Sequence, residues 1–148
     1  MMPVMTIMPL FPRHIVCLLA ALVLPLTLRA EGAGIQFFQG TFDEAKAKAK
    51  AEHKFLFVDA YVSWCGPCKT MDREVYTDPK VGGYFVQKFV AIRVDMEKGE
   101  GPALAKRLHS IDGYPSLIFL TPDGYMNKTV LGSRSAEDFL AEARLVAK

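Results

Sequence analysis

Phe55-Leu-Phe-Val-Asp-Ala-Tyr-Val-Ser-Trp-Cys-Gly-Pro-Cys68 decides the fold of this 148-residue chain. Residues 55–58 form a short apolar run of the kind a buried strand needs. Asp59 ends that run, either as a buried acid or as the wet end of the strand. Cys65 and Cys68 follow at a spacing that lets two thiols at a helix start close a disulfide with little rearrangement. Gly66 permits close approach, and Pro67 stiffens the first helical turn where no backbone donor is needed. A helix N-terminus favours a thiolate, so Cys65 is expected as the more acidic and exposed nucleophile. Cys68, a turn further in, is expected as the shielded resolving thiol. Attack by Cys65 on a disulfide gives a mixed disulfide that Cys68 then displaces.

Working outward, Thr41-Phe-Asp-Glu44 fits a capping box that opens a helix reaching 53. The Ala/Lys alternation over 45–51 mimics a strand, but both residues favour helix, and Phe42, Ala45 and Ala49 share one helical face. A helix is expected over 65–76 with Met71 and Val75 inward. Another starts at Asp78-Pro79 and is weakened soon after by Gly82 and Gly83. Residues 89–94 read as a strand, 102–109 as a helix and 116–120 as an apolar strand. Pro122-Asp-Gly124 turns the chain into a strand over 126–131. Ser135 caps a last helix that turns Phe139, Ala143 and Val146 inward. Strands separated by helices predict parallel crossovers, and the final pair predicts an antiparallel hairpin. The expected fold is α/β, with a central mixed sheet of about four strands flanked by helices.

The first thirty residues differ in composition from the rest. They contain no Asp, Glu or Lys, and Arg13 and His14 precede an apolar run over 15–28. A positive start, a short apolar stretch and a small residue at Ala30 read as a secretory signal peptide over 1–30, with an uncleaved membrane anchor as the alternative. The run is shorter than the ~20 residues a spanning helix requires. Cys17 lies ahead of most of that run and follows Val16, which does not suit a lipid-attachment site. Without 1–30 the charge falls from +2 to zero, because Arg13 and Arg29 leave with no acid, and of the three cysteines Cys65 and Cys68 remain. Residues 31–36 are expected to be a loose N-terminus and 37–148 one domain. Export implies a periplasmic or secreted location, where a cysteine pair can be oxidised.

A CxxC is also half of a zinc site. Outside the leader only His53 and His109 are left to complete one, and neither stands at ligand spacing, so no metal is expected. The charge gives no field for nucleic acid.

These features together resemble the thioredoxin superfamily over roughly 37–148. The carriers are Trp64-Cys-Gly-Pro-Cys-Lys69, Val58-Asp59 placed six residues before Cys65, Gly113-Tyr-Pro-Ser116 ahead of an apolar strand, and Gly132 after the next strand. Glu74-Val-Tyr-Thr-Asp-Pro79 is similar to the subgroup that holds the C-terminal domain of the transmembrane disulfide reductase and small exported bacterial proteins. The resemblance implies a thioredoxin-like fold and makes Asp59 the proton acceptor for Cys68, directly or through water. It implies a cis peptide bond at Pro115, beside the dithiol, with the Tyr114 backbone pairing to an extended substrate. Trp64 and Tyr114 would form an apolar rim, the alternative being that Trp64 caps the core. Gly66 and Pro67 would face substrate; Tyr61 and Lys69 flank the site with no assigned role.

Two departures from the family pattern stand out. Ala91 occupies the position where thioredoxin carries a lysine beside its buried acid, so a compensating charge is expected to be missing. The helix after Cys68 also lacks the usual proline.

The activity implied is an exported thiol–disulfide oxidoreductase, reducing in direction because Gly66-Pro67 resembles the reducing members, with oxidase or isomerase as alternatives. Its partners would be protein or peptide thiols and disulfides, with a membrane electron donor, no cofactor, and a monomeric state. Membrane contact is expected only if 1–30 stays attached. Outside that class, a binding or chaperone module and a copper carrier remain open.

Overall fold

The computed structural model describes residues 33–109 and 111–148. The expected leader over 1–30, with Cys17, lies outside the described residues.

Thr41 opens α1 (Phe42–Ala51) through the expected capping box. Its Oγ1 accepts from the Glu44 N–H at 3.3 Å, and Glu44 Oε2 accepts from the Thr41 N–H at 2.7 Å. β1 (Phe55–Tyr61) continues past the apolar run and carries Asp59 in its interior rather than at its end. α2 (Gly66–Thr70) starts at Cys65, and the helix then widens into a π turn over Met71–Val75. The Tyr76 N–H bonds to the Met71 carbonyl, five residues back, at 2.9 Å. That wider period brings Tyr76 inward alongside Met71 and Val75, and all three are buried.

α3 (Pro79–Lys88) passes Gly82 and Gly83 without a break, contrary to the expected weakening. Gly82 serves as a contact point instead: a Cβ there would sit 2.2 Å from the Ala33 carbonyl oxygen. The N-terminal segment crosses α3 at this place. Where it is described, the stretch expected to be loose is therefore anchored. Ile35 is buried, its N–H donates to the Tyr76 carbonyl at 2.7 Å, and the Phe38 N–H donates to the Ala91 carbonyl at 2.7 Å.

β2 (Phe89–Asp95), α4 (Gly101–Leu108), β3 (Ser116–Leu120), β4 (Met126–Leu131) and α5 (Ala136–Val146) complete the chain. The four strands form one mixed sheet in the order β2-β1-β3-β4. β1 and β2 are parallel, and β3 and β4 form the expected antiparallel hairpin. β3, however, runs antiparallel to β1, so the second expected parallel crossover is not made. Length explains it. The eight residues of α4 rise about 12 Å, whereas the seven of β2 span about 23 Å. His109 then ends α4 in the left-handed conformation, φ 50°. The chain re-enters the sheet at the end it left, and Ser116 pairs with Ala60 near the C-terminal end of β1.

The pleat divides the interior in two. Phe57, Ala91, Leu117 and Phe119 face α3, α5 and the π turn, where Phe85 and Phe139 each set their ring centroid 5.3 Å from that of Phe57. Leu56, Val58, Ala60 and Ile118 face α1 and α4, with both cysteines on this side. Asp59 follows Phe57 in the alternation and points with it. Among the described residues no helix is long and apolar enough to cross a membrane.

Candidate active site

Cys65 is the N-cap of α2, and its Sγ accepts from the Cys68 N–H at 3.1 Å. Cys65 and Cys68 are joined as a disulfide with their Cα atoms 5.3 Å apart. In this oxidised form both are buried, 4% and 2% exposed, so the expected contrast between an exposed and a shielded thiol is absent. Gly66 and Pro67 are both exposed at the start of the helix.

The register of β1 with β3 brings 113–116 to the end of the sheet that carries the disulfide. The Tyr114–Pro115 peptide bond is cis. The Pro115 carbonyl accepts from the Gly132 N–H at 2.8 Å, and Ser116 Oγ donates to the Gly113 carbonyl at 2.8 Å. Gly132 holds φ +86°, a left-handed conformation that a residue without Cβ adopts freely. Among the described residues the Tyr114 backbone has no hydrogen-bond partner.

Trp64 does not cap the core: it is 67% exposed. Its ring meets Tyr114 edge-on, 6.3 Å between centroids and 88° between planes. Its indole N–H donates to both Glu97 carboxylate oxygens, at 3.0 and 3.2 Å. Sequence reading missed Glu97. The one available signal is the parallel register, which sets Tyr61 opposite Asp95 and ties the Met96 N–H to the Tyr61 carbonyl at 2.8 Å. Glu97 then follows two residues beyond Asp95, and Trp64 three beyond Tyr61.

Asp59 is fully buried. The compensating charge expected to be missing is present as Arg93. Asp59 lies opposite Arg93 on β2, while Ala91 lies opposite Phe57, so the cation stands two residues beyond the position read from the sequence. Arg93 Nε donates to Asp59 Oδ2 at 2.8 Å, and its Nη1 meets Asp72 Oδ1 at 2.8 Å. The guanidinium lies over the Tyr61 ring, 4.4 Å from the centroid, which gives that flanking residue a contact. Burial pushes the Asp59 carboxyl up to about 6, outweighing the opposing pull of Arg93. Tyr76, buried against the same acid, has its phenol held protonated first by burial and then by the Asp59 charge.

Two clefts, of about 380 Å³ at the β2 edge and about 470 Å³ between α3 and α5, are lined by neither cysteine and by none of Asp59, Arg93, Trp64, Glu97, Tyr114 and Pro115. Among the described residues no three of His, Cys, Asp and Glu gather into a metal-binding group. Chemically, the arrangement supports a two-thiol redox pair, one buried acid with raised proton affinity, and an apolar rim beside an unpaired backbone.

A family model described as Thioredoxin-like matches residues 37–122. The thiol:disulfide interchange protein DsbD of Tatumella citrea is 32% identical over 99 residues, which is 65% of this chain and 17% of that protein. The matched segment thus spans about a sixth of that curated relative. In structure, the chain superposes on a Bacteroides thetaiotaomicron protein provisionally assigned as a disulphide-isomerase, with TM-score 0.69 and 38% identity over 80% of this chain and 98% of that one. It also superposes on the reduced C-terminal domain of DsbD from Neisseria meningitidis, with TM-score 0.59 and 28% identity over 70% of this chain and 92% of that one.

Proposed function

Since the chain belongs to the thioredoxin-like family, we propose that it is an exported thiol–disulfide oxidoreductase that reduces disulfides in protein or peptide substrates. The observation that carries this reading is the Cys65–Cys68 pair at the start of α2, with the Cys68 N–H aimed at the Cys65 sulfur. That donor favours a thiolate on Cys65 once the pair is reduced. Cys65 attacks one sulfur of a substrate disulfide, forming a mixed disulfide and releasing the other sulfur as a thiolate. Cys68 gives its proton to Asp59 through water, since the acid and the cysteines lie on opposite faces of β1, and attacks Cys65. The Cys65–Cys68 bond forms and the second substrate thiolate leaves; the two released thiolates take up one proton from Asp59 and one from water. Two electrons and two protons pass to the substrate, and a thiol donor must restore the pair. A membrane protein bearing a dithiol is the donor suggested by the resemblance to the transmembrane disulfide reductase.

Trp64 and Tyr114 form the rim that receives the substrate, with Gly66 and Pro67 at its floor. The unpaired Tyr114 backbone, held before Pro115, adds a strand-like contact to an extended segment. The reducing direction is favoured by Gly66-Pro67. Known pairs run from about −270 to −120 mV, a span wide enough that the measured potential decides.

Dithiol-driven insulin reduction tests the activity: wild type should be active and Cys65→Ser inactive, and equal rates would sink the reading. Equilibration with glutathione buffers tests the direction, a potential near −120 mV favouring an oxidase. The likeness to a provisionally assigned isomerase supports one second reading, which recovery of scrambled ribonuclease would reveal.

A further inference from the structure

The network around Asp59 leaves three buried oxygens over: Asp59 Oδ1, Asp72 Oδ1 and the Tyr76 hydroxyl. Asp59 Oδ2 is taken by Arg93, but Oδ1 has no partner in hydrogen-bond geometry, and neither does the Tyr76 hydroxyl. Asp59 and Tyr76 are 0% and 4% exposed. They are neighbours that feel one another, the phenol acting on Asp59 as a donor does, yet the contact stops short of a formed hydrogen bond. Asp72 Oδ1 already lies 2.8 Å from Arg93 Nη1, so of the two acids Asp59 is the one that keeps an oxygen clear of the guanidinium. The other ionisable groups facing Asp59 are Arg93 of β2 and Asp72 of the π turn, and β3 presents Leu117 opposite.

The phenol is also fixed in place. Its ring packs edge-on against Phe37, Phe57 and Phe139, at 5.2, 6.3 and 5.8 Å, and Arg93 covers it at 5.8 Å. The π turn sets this position, because the Tyr76 N–H bonds five residues back and the side chain turns inward with Met71 and Val75.

We propose that Tyr76 is a positioning residue for the thiol chemistry, whose hydroxyl donates to Oδ1 of ionised Asp59 and accepts from the same carboxyl once it is protonated. Arg93 occupies Oδ2, so a proton that reaches Asp59 settles on Oδ1, the oxygen left for Tyr76. The phenol turns from donor to acceptor as the proton arrives and turns back as it leaves, with no net change in itself. The functional consequence rests on the reductase reading; the hydrogen bond does not.

The experiment follows the Asp59 carboxyl carbon by NMR across pH in the full chain, in wild type and Tyr76→Phe. Loss of one donor to the carboxylate should raise the Asp59 midpoint by about one pH unit. The pH profile of substrate reduction should move the same way. In an Asp59→Asn background, adding Tyr76→Phe should leave that profile in place. A folded Tyr76→Phe protein with an unshifted midpoint would overturn the proposal, as would an equal profile shift in the Asp59→Asn background. A wild type no faster than Cys65→Ser would defeat the reductase reading alone, because the NMR midpoint is read without turnover.

Discussion

Asp59 and Arg93 face each other across the parallel pair β1 and β2, carboxylate to guanidinium at 2.8 Å, with the acid fully buried and the base 26% exposed along its side chain. One partner is shut away from water while the other reaches it, and this asymmetry governs the first two predictions.

Asp59 holds its proton more tightly when folded, with a pKa of about 6 against an ordinary 3.8. Its contribution to stability is fully present below 3.8 and is lost as pH rises through about 6. The interval amounts to about 3 kcal/mol. Asp59→Asn removes this titration, so its stability relative to wild type should rise by about that much between pH 3.5 and pH 7. Urea denaturation at a series of pH values checks this, and a flat difference would refute it.

Arg93→Ala leaves the buried carboxylate without its cation. A loss of about 2–4 kcal/mol is expected at pH 8, a little below the range for fully buried pairs because Arg93 is partly exposed. At pH 5, where Asp59 is protonated, the loss should shrink. Arg93→Lys should recover part of it. Equal losses at both pH values would show that packing on Tyr61, not charge, sets the effect.

Gly82 and Gly83 are neighbours in one helix with opposite surroundings. A Cβ at Gly82 meets backbone at 2.2 Å, whereas one at Gly83 meets nothing within 4 Å. Gly82→Ala should destabilise by about 1–3 kcal/mol, and Gly83→Ala should stabilise by about 0.5–1 kcal/mol. Thermal melts of the two variants would separate them cleanly.

Trp64 is the chain's single tryptophan, so its fluorescence reports one site. Glu97→Ala removes the acceptor of the indole N–H and should lower the fluorescence anisotropy of Trp64. Stability should change by less than about 1 kcal/mol, because the contact is exposed. Glu97→Gln keeps an acceptor oxygen and should restore the anisotropy. Unchanged anisotropy in the alanine variant would mean that Tyr114 alone orients the ring.

Much of this was legible in the residues. The capping box at Thr41 and Glu44 and the inward faces of α1 and α5 are local properties, and they read correctly. The cysteine pair could be placed at a helix start because the apolar run before it ends at Asp59. What did not read were relations between distant segments. The cation beside Asp59 was sought at Ala91 because strand register is fixed by pairing, which one strand's sequence does not contain. The π turn leaves no residue signature once proline is absent, so Tyr76 stayed outside the expected core. β3 was expected to be parallel because the shortness of α4 matters only when measured against the strand it would have to retrace. Glu97 became visible only through the seam between Tyr61 and Met96.

The return of β3 to the end the chain had left makes the molecule lopsided in a useful way. Cys65, Trp64, Glu97, Tyr114 and Gly132 all come from connections at one pole of the sheet. The turns at 52–54 and 121–125 lie at the other pole, separated from them by the length of β1. An immobilisation handle or an inserted reporter placed at 121–125 would leave the reactive pole facing outward, so the fold is suited to display on a surface with Trp64 and Tyr114 turned toward solution.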